Sequence, residues 1–135
     1  MNHRPGHRHP PLRHRLTVAD VVAVSTAARE LRPVHLDRSA ARAAGLPDVL
    51  LGTSGQQAWL WRFLVDRLGV DARLVRLDLR MRAPVSPGAF EIDAEIVAVD
   101  DERGLVELTL TITSGEVVAT TAHATVDVTR TANWP

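Results

Sequence analysis

The chain predicts an α+β domain in which one deeply buried helix is covered by an antiparallel sheet. Three observations carry that prediction. Across residues 56–68, Trp59, Leu60, Trp61, Phe63, Leu64, Val65 and Leu68 leave so few polar positions that a helix there must be wrapped by other structure. From Val75 onward the period changes to two: Val75, Leu77, Leu79 and Met81 alternate with Arg76, Asp78, Arg80 and Arg82, and residues 90–99, 105–113 and 117–128 repeat the alternation. Turn-forming residues at 100–104 and 114–116 join these segments closely, which implies an antiparallel meander. A helix followed by such a sheet fits two layers, the sheet curling around the helix.

The elements follow in chain order. Residues 1–15 are dominated by His, Arg and Pro, a composition that buries no core and interrupts regular structure, so they are expected to form a mobile, disordered tail. The tail's His3, His7, His9 and His14 could take up a metal adventitiously, but without a scaffold they read as a solvated arm. Thr17 is an N-cap with an acid, Asp20, three residues on, and predicts a helix from 18 to about 28 despite the β-branched Val21, Val22 and Val24. Residues 30–35 should be irregular, because Pro33 disfavours helix at Arg32. Asp37 as N-cap and Gly45 as C-cap bracket a short Ala-rich helix. Ser54 with Gln57 has capping-box spacing at the mouth of the apolar helix, and Gly69 ends it. One ordered domain, residues 16–130, accounts for a chain of 135 residues.

Composition excludes several kinds of function. The formal net charge is zero, which gives no electrostatic basis for binding nucleic acid. No apolar run approaches the roughly 18–20 residues that span a bilayer, and no secretory apolar core opens the chain, so a cytoplasmic protein is expected. Without cysteine there is no disulfide, thiolate nucleophile or zinc–thiolate site. All 16 basic side chains are arginine, which removes Schiff-base chemistry and leaves permanently charged, planar groups for any phosphate contact.

The chemistry-bearing residues cluster at Glu30-Leu31-Arg32-Pro33-Val34-His35, a carboxylate and an imidazole five positions apart around a proline. From spacing alone this is either a water-handling dyad or a surface acid, paired with Arg29 or Arg32, beside a hydrogen-bonded loop histidine. Gly52 is either an amide positioned for a ligand at a helix start or a turn before the helix. Arg80 and Arg82 share the polar face of their strand, as possible contacts for phosphate or as a solvated sheet face. His123 lies with Thr121, Thr125 and Asp127 on another polar strand face, and Trp59 and Trp61 read as packing residues.

These segments resemble the MaoC-like (R)-specific enoyl-CoA hydratases. In that family the acid and histidine stand within Asp, any residue, Asn, Pro, any residue, His; here Pro33 and His35 match, Glu30 replaces the Asp and Arg32 the Asn. Arg82-Ala83-Pro84-Val85-Ser86-Pro87-Gly88 is similar to the family's arginine, any residue, Pro-Val, any residue, Pro-Gly signature, with Ala89 replacing the acid that follows. The segment from Ser25 to Asp37 is similar to the small single-hotdog subunit of actinobacterial hydratases acting on steroid side-chain CoA esters.

The resemblance implies a single hotdog domain, an antiparallel sheet wrapped around a long central helix, that adds water to a trans-2-enoyl-CoA. It implies Glu30 and His35 as catalytic residues, the Gly52 N–H as donor to the thioester oxygen, Arg80 and Arg82 toward CoA phosphates, and no metal or other cofactor. It implies a homodimer or a heteromer with a second hotdog subunit. Leu51 stands where the family has a histidine before that glycine, which motivates the alternative of a non-catalytic hotdog subunit that completes an active partner. A polyketide-type dehydratase or a thioesterase is a further alternative, although thioesterases place their acid on the central helix, which here offers only Asp66.

Overall fold

The structure is a computed structural model and describes residues 3–131. Five antiparallel strands, β1 (Leu12–Leu16), β2 (Arg73–Met81), β3 (Gly88–Asp100), β4 (Leu105–Ser114) and β5 (Val117–Asp127), form one sheet in the order β1-β3-β4-β5-β2. Three helices precede the long strands: α1 (Val18–Ala27), α2 (Arg38–Ala43) and α3 (Thr53–Leu68). The alternation of the sequence becomes two faces. Ile92 and Ile96 of β3, Leu108, Leu110 and Ile112 of β4, and Ala124 and Val126 of β5 point inward. They pack with Leu60, Phe63, Leu64 and Leu68 of α3 in one core. Phe63 is completely buried, and truncating it to Ala would cost about 3–5 kcal/mol.

α1 begins as expected: the Thr17 hydroxyl accepts from the Asp20 N–H at 3.0 Å and the Asp20 carboxylate accepts from the Thr17 N–H at 2.8 Å. Asp37 caps α2 by accepting from the N–H groups of Ser39 and Ala40. α3 differs, since its N-cap is Gly52 and Ser54 does not cap it.

Two expectations are corrected. Described residues of the presumed mobile tail, residues 1–15, are an ordered arm on the free side of β3; its residues 1 and 2 lie outside the described residues. Gly6 N–H donates to Ile96 O at 2.7 Å, Ile96 N–H to His7 O at 2.9 Å, and residues 12–16 form β1 against β3. Strand addition needs backbone groups rather than apolar side chains, so a composition poor in core residues does not prevent it. The arginines pair instead: Arg8 with Asp93 and Glu95, Arg13 with Glu91, and Arg67 of α3 donates two hydrogen bonds to Pro10 O.

The meander, in turn, holds only for β3, β4 and β5. β2 lies on the other side of the sheet, paired with β5. Alternation reports which face a residue occupies, not which strand is its neighbour. The proline-containing connector from β2 to β3 therefore has to cross the end of the sheet. It does so beside the start of α3, where Val85 is fully buried and accepts from the Leu51 N–H at 2.9 Å. This crossing brings Arg82 and Pro84 to the mouth of the buried helix.

Candidate active site

The site is built where α1 ends and α3 begins. α1 closes with Glu30 N–H donating to Ser25 O and Arg29 N–H to Thr26 O, and Arg29 takes a positive φ of 57°. For a residue with a Cβ, such left-handed backbone costs about 1–2 kcal/mol. The reversal sets Glu30 at the start of the return loop. Pro33 then opens a single 3₁₀ turn, Pro33–His35, with its fixed φ at the first helical position.

That turn carries His35, which is 6% exposed. Its Nδ1 lies 2.7 Å from Leu50 O, and a carbonyl only accepts, so Nδ1 bears a hydrogen and, in the neutral tautomer, the lone pair is on Nε2. The Val34 carbonyl accepts from the Leu50 N–H at 2.9 Å, holding the two segments together on the other side. His35 Nε2 faces Glu30 Oε2 at 3.5 Å. The other oxygen, Oε1, accepts from the Ser54 N–H at 3.0 Å. A carboxylate at a helix N-terminus meets an orphan N–H and the positive end of the dipole together. Glu30 thus caps α3 from 24 residues away, taking the role that the spacing of Ser54 and Gln57 had suggested.

Gly52 is glycine because of what lies against it. Its φ of −77° is open to any residue, but a Cβ there would fall onto Glu30 Oε2 and within 2.8 Å of His35 Cε1. The missing side chain is the space in which acid and imidazole meet. Gly55 plays a similar part, since a Cβ would lie 2.6 Å from Leu51 Cδ1 and 3.3 Å from Val24 Cγ1 of α1. Neither the Gly52 N–H nor the Thr53 N–H has an acceptor among the described residues.

Glu30, His35 and Gly52 line one cleft of about 590 Å³, with Val34, Leu46, Leu50 and Met81 among its apolar walls. Of the two arginines expected at a ligand, the structure brings Arg82 to this cleft and leaves Arg80 away from it. Arg80 lines a groove on the outer face of the sheet with Asp78, Thr109, Thr121 and His123. The reason is that β2 ends at Met81: the Arg82 N–H turns to Ala119 O, and the alternation that would have put residues 80 and 82 on one face stops. His123 is likewise on the outer face, opposite Asp78 in the β2–β5 register. Trp59 packs between His14 and Phe90 at ring distances of 5.1 and 5.3 Å, outside the cleft.

Among the lining residues that sequence reasoning did not single out as site residues are Arg32 and Gln56. Arg32 was read as a departure from a motif or a surface partner of Glu30, and Gln56 only as part of the apolar helix. Gln56 is 2% exposed, and a primary amide buried in an otherwise apolar helix was the signal available.

These elements define a hotdog-fold domain, with a long helix against a five-stranded antiparallel sheet and a cleft at the helix N-terminus. Known structures share the fold over nearly the whole chain. A chain of the ChsH1–ChsH2 complex from Mycobacterium tuberculosis matches with a TM-score of 0.86 and 23% identity, covering 92% of this chain and 97% of that one. The (R)-hydratase from A. caviae involved in PHA biosynthesis matches with a TM-score of 0.83 and 23% identity over 93% and 96%. A chain of the C-terminally truncated HadBC (3R-hydroxyacyl-ACP dehydratase) complex from M. tuberculosis matches with a TM-score of 0.72 and 17% identity over 90% and 96%. No protein-family model and no curated protein sequence matches the chain. Among the described residues, no helix is long and apolar enough to cross a membrane.

Proposed function

We propose that the chain is an enoyl-CoA hydratase subunit of the MaoC-like kind, adding water to a trans-2-enoyl-CoA to give a 3-hydroxyacyl-CoA. One observation carries the reading: Glu30 Oε2, His35 Nε2 and an unpaired Gly52 N–H converge at the mouth of one cleft. A water there donates hydrogen bonds to the carboxylate and to the free imidazole nitrogen. As its oxygen bonds to C3, His35 Nε2 takes the proton and the C2–C3 electron pair moves toward the thioester oxygen, where the Gly52 N–H meets the developing charge. Return of a proton to C2 completes a hydration with no need of metal or redox cofactor.

Arg82 and Arg32, which line the same cleft, are the proposed contacts for the phosphates of CoA; Arg80, in a groove on the outer face of the sheet, is not among them. Similar folds occur in the two complexes named above, which supports work beside a second hotdog subunit; a homodimer is the other arrangement, and the proposed location is cytoplasmic. A bulky acyl group such as a steroid side chain is the substrate class suggested by the likeness of residues 25–37.

A second reading, a non-catalytic subunit that completes an active partner, is favoured by the fully buried, aliphatic Leu51 in front of Gly52. The test is loss of the enoyl absorbance of a short and a steroid-type trans-2-enoyl-CoA with the purified chain, His35→Ala run alongside. Turnover that disappears in His35→Ala is expected. An inactive wild-type chain whose mixed complex keeps its activity after His35→Ala would transfer the assignment to the partner subunit. Release of free acid instead of hydroxyacyl-CoA would make the chain a thioesterase.

A further inference from the structure

Gln56 and Thr120 are both buried, at 2% and 0% exposure, in a core that is otherwise almost wholly apolar. Their side chains meet: the Thr120 hydroxyl donates to Gln56 Oε1 at 2.6 Å. That bond fixes which end of the amide faces which way, because only the NH₂ end can then donate to Leu51 O, at 2.9 Å. Leu51 is also held from its other side, its N–H donating to Val85 O at 2.9 Å.

The carbonyl of Leu51 and the N–H of Gly52 belong to one peptide unit. A trans peptide is planar, and its C=O and N–H point in opposite directions. Whatever holds the Leu51 oxygen toward the core therefore aims the Gly52 hydrogen away from it, and a hydrogen bond at that oxygen also polarises the N–H. Without the amide, the Leu51 oxygen would have no partner among the described residues, and the peptide would be free to rotate about its flanking bonds.

We propose that Gln56, oriented by Thr120, is a positioning residue that aims and strengthens the Gly52 N–H as the donor to the thioester oxygen. This rests on the hydratase reading above. The relay runs from the sheet, through Thr120 of β5 and Gln56 of α3, to a single backbone amide in the cleft. It acts on the charge that develops on the substrate oxygen, not on the water held by Glu30 and His35. Its loss should therefore lower kcat with little change in KM, and leave the pH profile set by the acid–imidazole pair in place.

The experiment compares wild type, Gln56→Met, Thr120→Val, Thr120→Ser and His35→Ala by turnover of a trans-2-enoyl-CoA. The carbonyl stretch of the bound enoyl thioester is read by difference infrared spectroscopy. Removing one oxyanion donor outright costs about a hundredfold to a thousandfold in kcat, so misaiming it in Gln56→Met should cost between about tenfold and a hundredfold. KM should stay within about twofold and the pH profile keep its shape. The downshift of the bound carbonyl should shrink in Gln56→Met and Thr120→Val, persist in the inactive His35→Ala, and return in Thr120→Ser.

A Gln56→Met chain with wild-type kcat and carbonyl band would overturn the proposal and leave the hydratase standing. Should Gln56→Met not fold, the pair Thr120→Val and Thr120→Ser decides by the same band, and equal bands in that pair also overturn it. A wild type that neither hydrates nor shifts the bound carbonyl would remove the hydratase reading itself.

Discussion

His35 and His9 are buried to the same degree, 6% and 7% exposed, yet only one of them stands in a site. His35 has its Nδ1 fixed by Leu50 O and its Nε2 turned to a carboxylate at the edge of a cleft. His9 has a buried Nε2 with no partner among the described residues, and its surroundings are basic: His7 stacks edge-on at 4.9 Å, and His3 and Arg67 add like charge. Burial alone thus says little about function. What separates the two rings is the chemistry of the neighbours, one set prepared to exchange a proton and the other opposed to gaining one. His123 makes a third case, opposite Asp78 in register but on the outer sheet face, with that acid already bound by Arg76 at 2.7 Å.

The largest effect should follow from breaking the first environment. Glu30→Gln or His35→Ala should each lower hydratase kcat by about 10²–10⁴-fold, the usual contribution of a positioned acid–base group. Asp78→Asn and His123→Ala, the acid and histidine of the outer-face groove, away from the cleft of Glu30, His35 and Gly52, should leave kcat within about twofold. Steady-state kinetics on the four variants checks both halves, and comparable losses in the two pairs would end the distinction between them. Next in size is Gly52→Ala. The new Cβ would displace Glu30 Oε2 and crowd His35, and a shift on the order of 1 Å in a reacting group costs about a hundredfold. Overpacking should also destabilise the chain by about 1–3 kcal/mol, readable by urea denaturation. Full activity in Gly52→Ala would mean that the carboxylate does not need its present place.

Much of this environment was legible in the sequence. The spacing of Glu30, Pro33 and His35 left open a dyad or a surface acid beside a loop histidine, and the family resemblance favoured the dyad; the structure brings His35 Nε2 to 3.5 Å from Glu30 Oε2. The capping pairs at Thr17 and Asp37 were legible because they are local. What escaped reading was set by tertiary neighbours. Ser54 has the spacing of a cap, but the carboxylate that satisfies its N–H comes from Glu30, and no local pattern encodes that. Gly52 was read as an amide approaching a ligand or as a turn, whereas its φ is ordinary and the constraint on any side chain there comes from Glu30 and His35 packed against it. Arg80 and Arg82 parted because the strand ends between them. The histidine-rich arm was misjudged because composition measures the capacity to bury side chains, while the arm is held by backbone pairing to β3 and by Arg8, Arg13 and Arg67.

The arm supplies the smallest expected effect and the sharpest test of the second environment. Burial lowers the pKa of His9 below its ordinary 6.5, and the nearby positive charge of His7, His3 and Arg67 lowers it further. The unfolded chain therefore binds a proton at His9 before the folded chain does. Stability from this group is complete above the unfolded pKa, falls as the pH drops below about 6.5, and is lost once the pH passes the lowered folded value. A single proton limits the slope to about 1.4 kcal/mol per pH unit. His3 shifts the same way, chiefly by burial, so the arm as a whole should loosen in mild acid. His9→Leu fills the same space without a nitrogen to protonate. Its Tm should match or exceed that of the wild type near pH 7.5, and the gap should widen as the pH is taken to about 5.5. Amide exchange at Gly6 and His9, whose N–H groups bond to β3, should quicken over the same range in the wild type and less in the variant. If the two melting curves instead run parallel, the cost of an unpartnered buried ring has been relieved by water, and the contrast between the two histidines would rest on the partners of His35 alone.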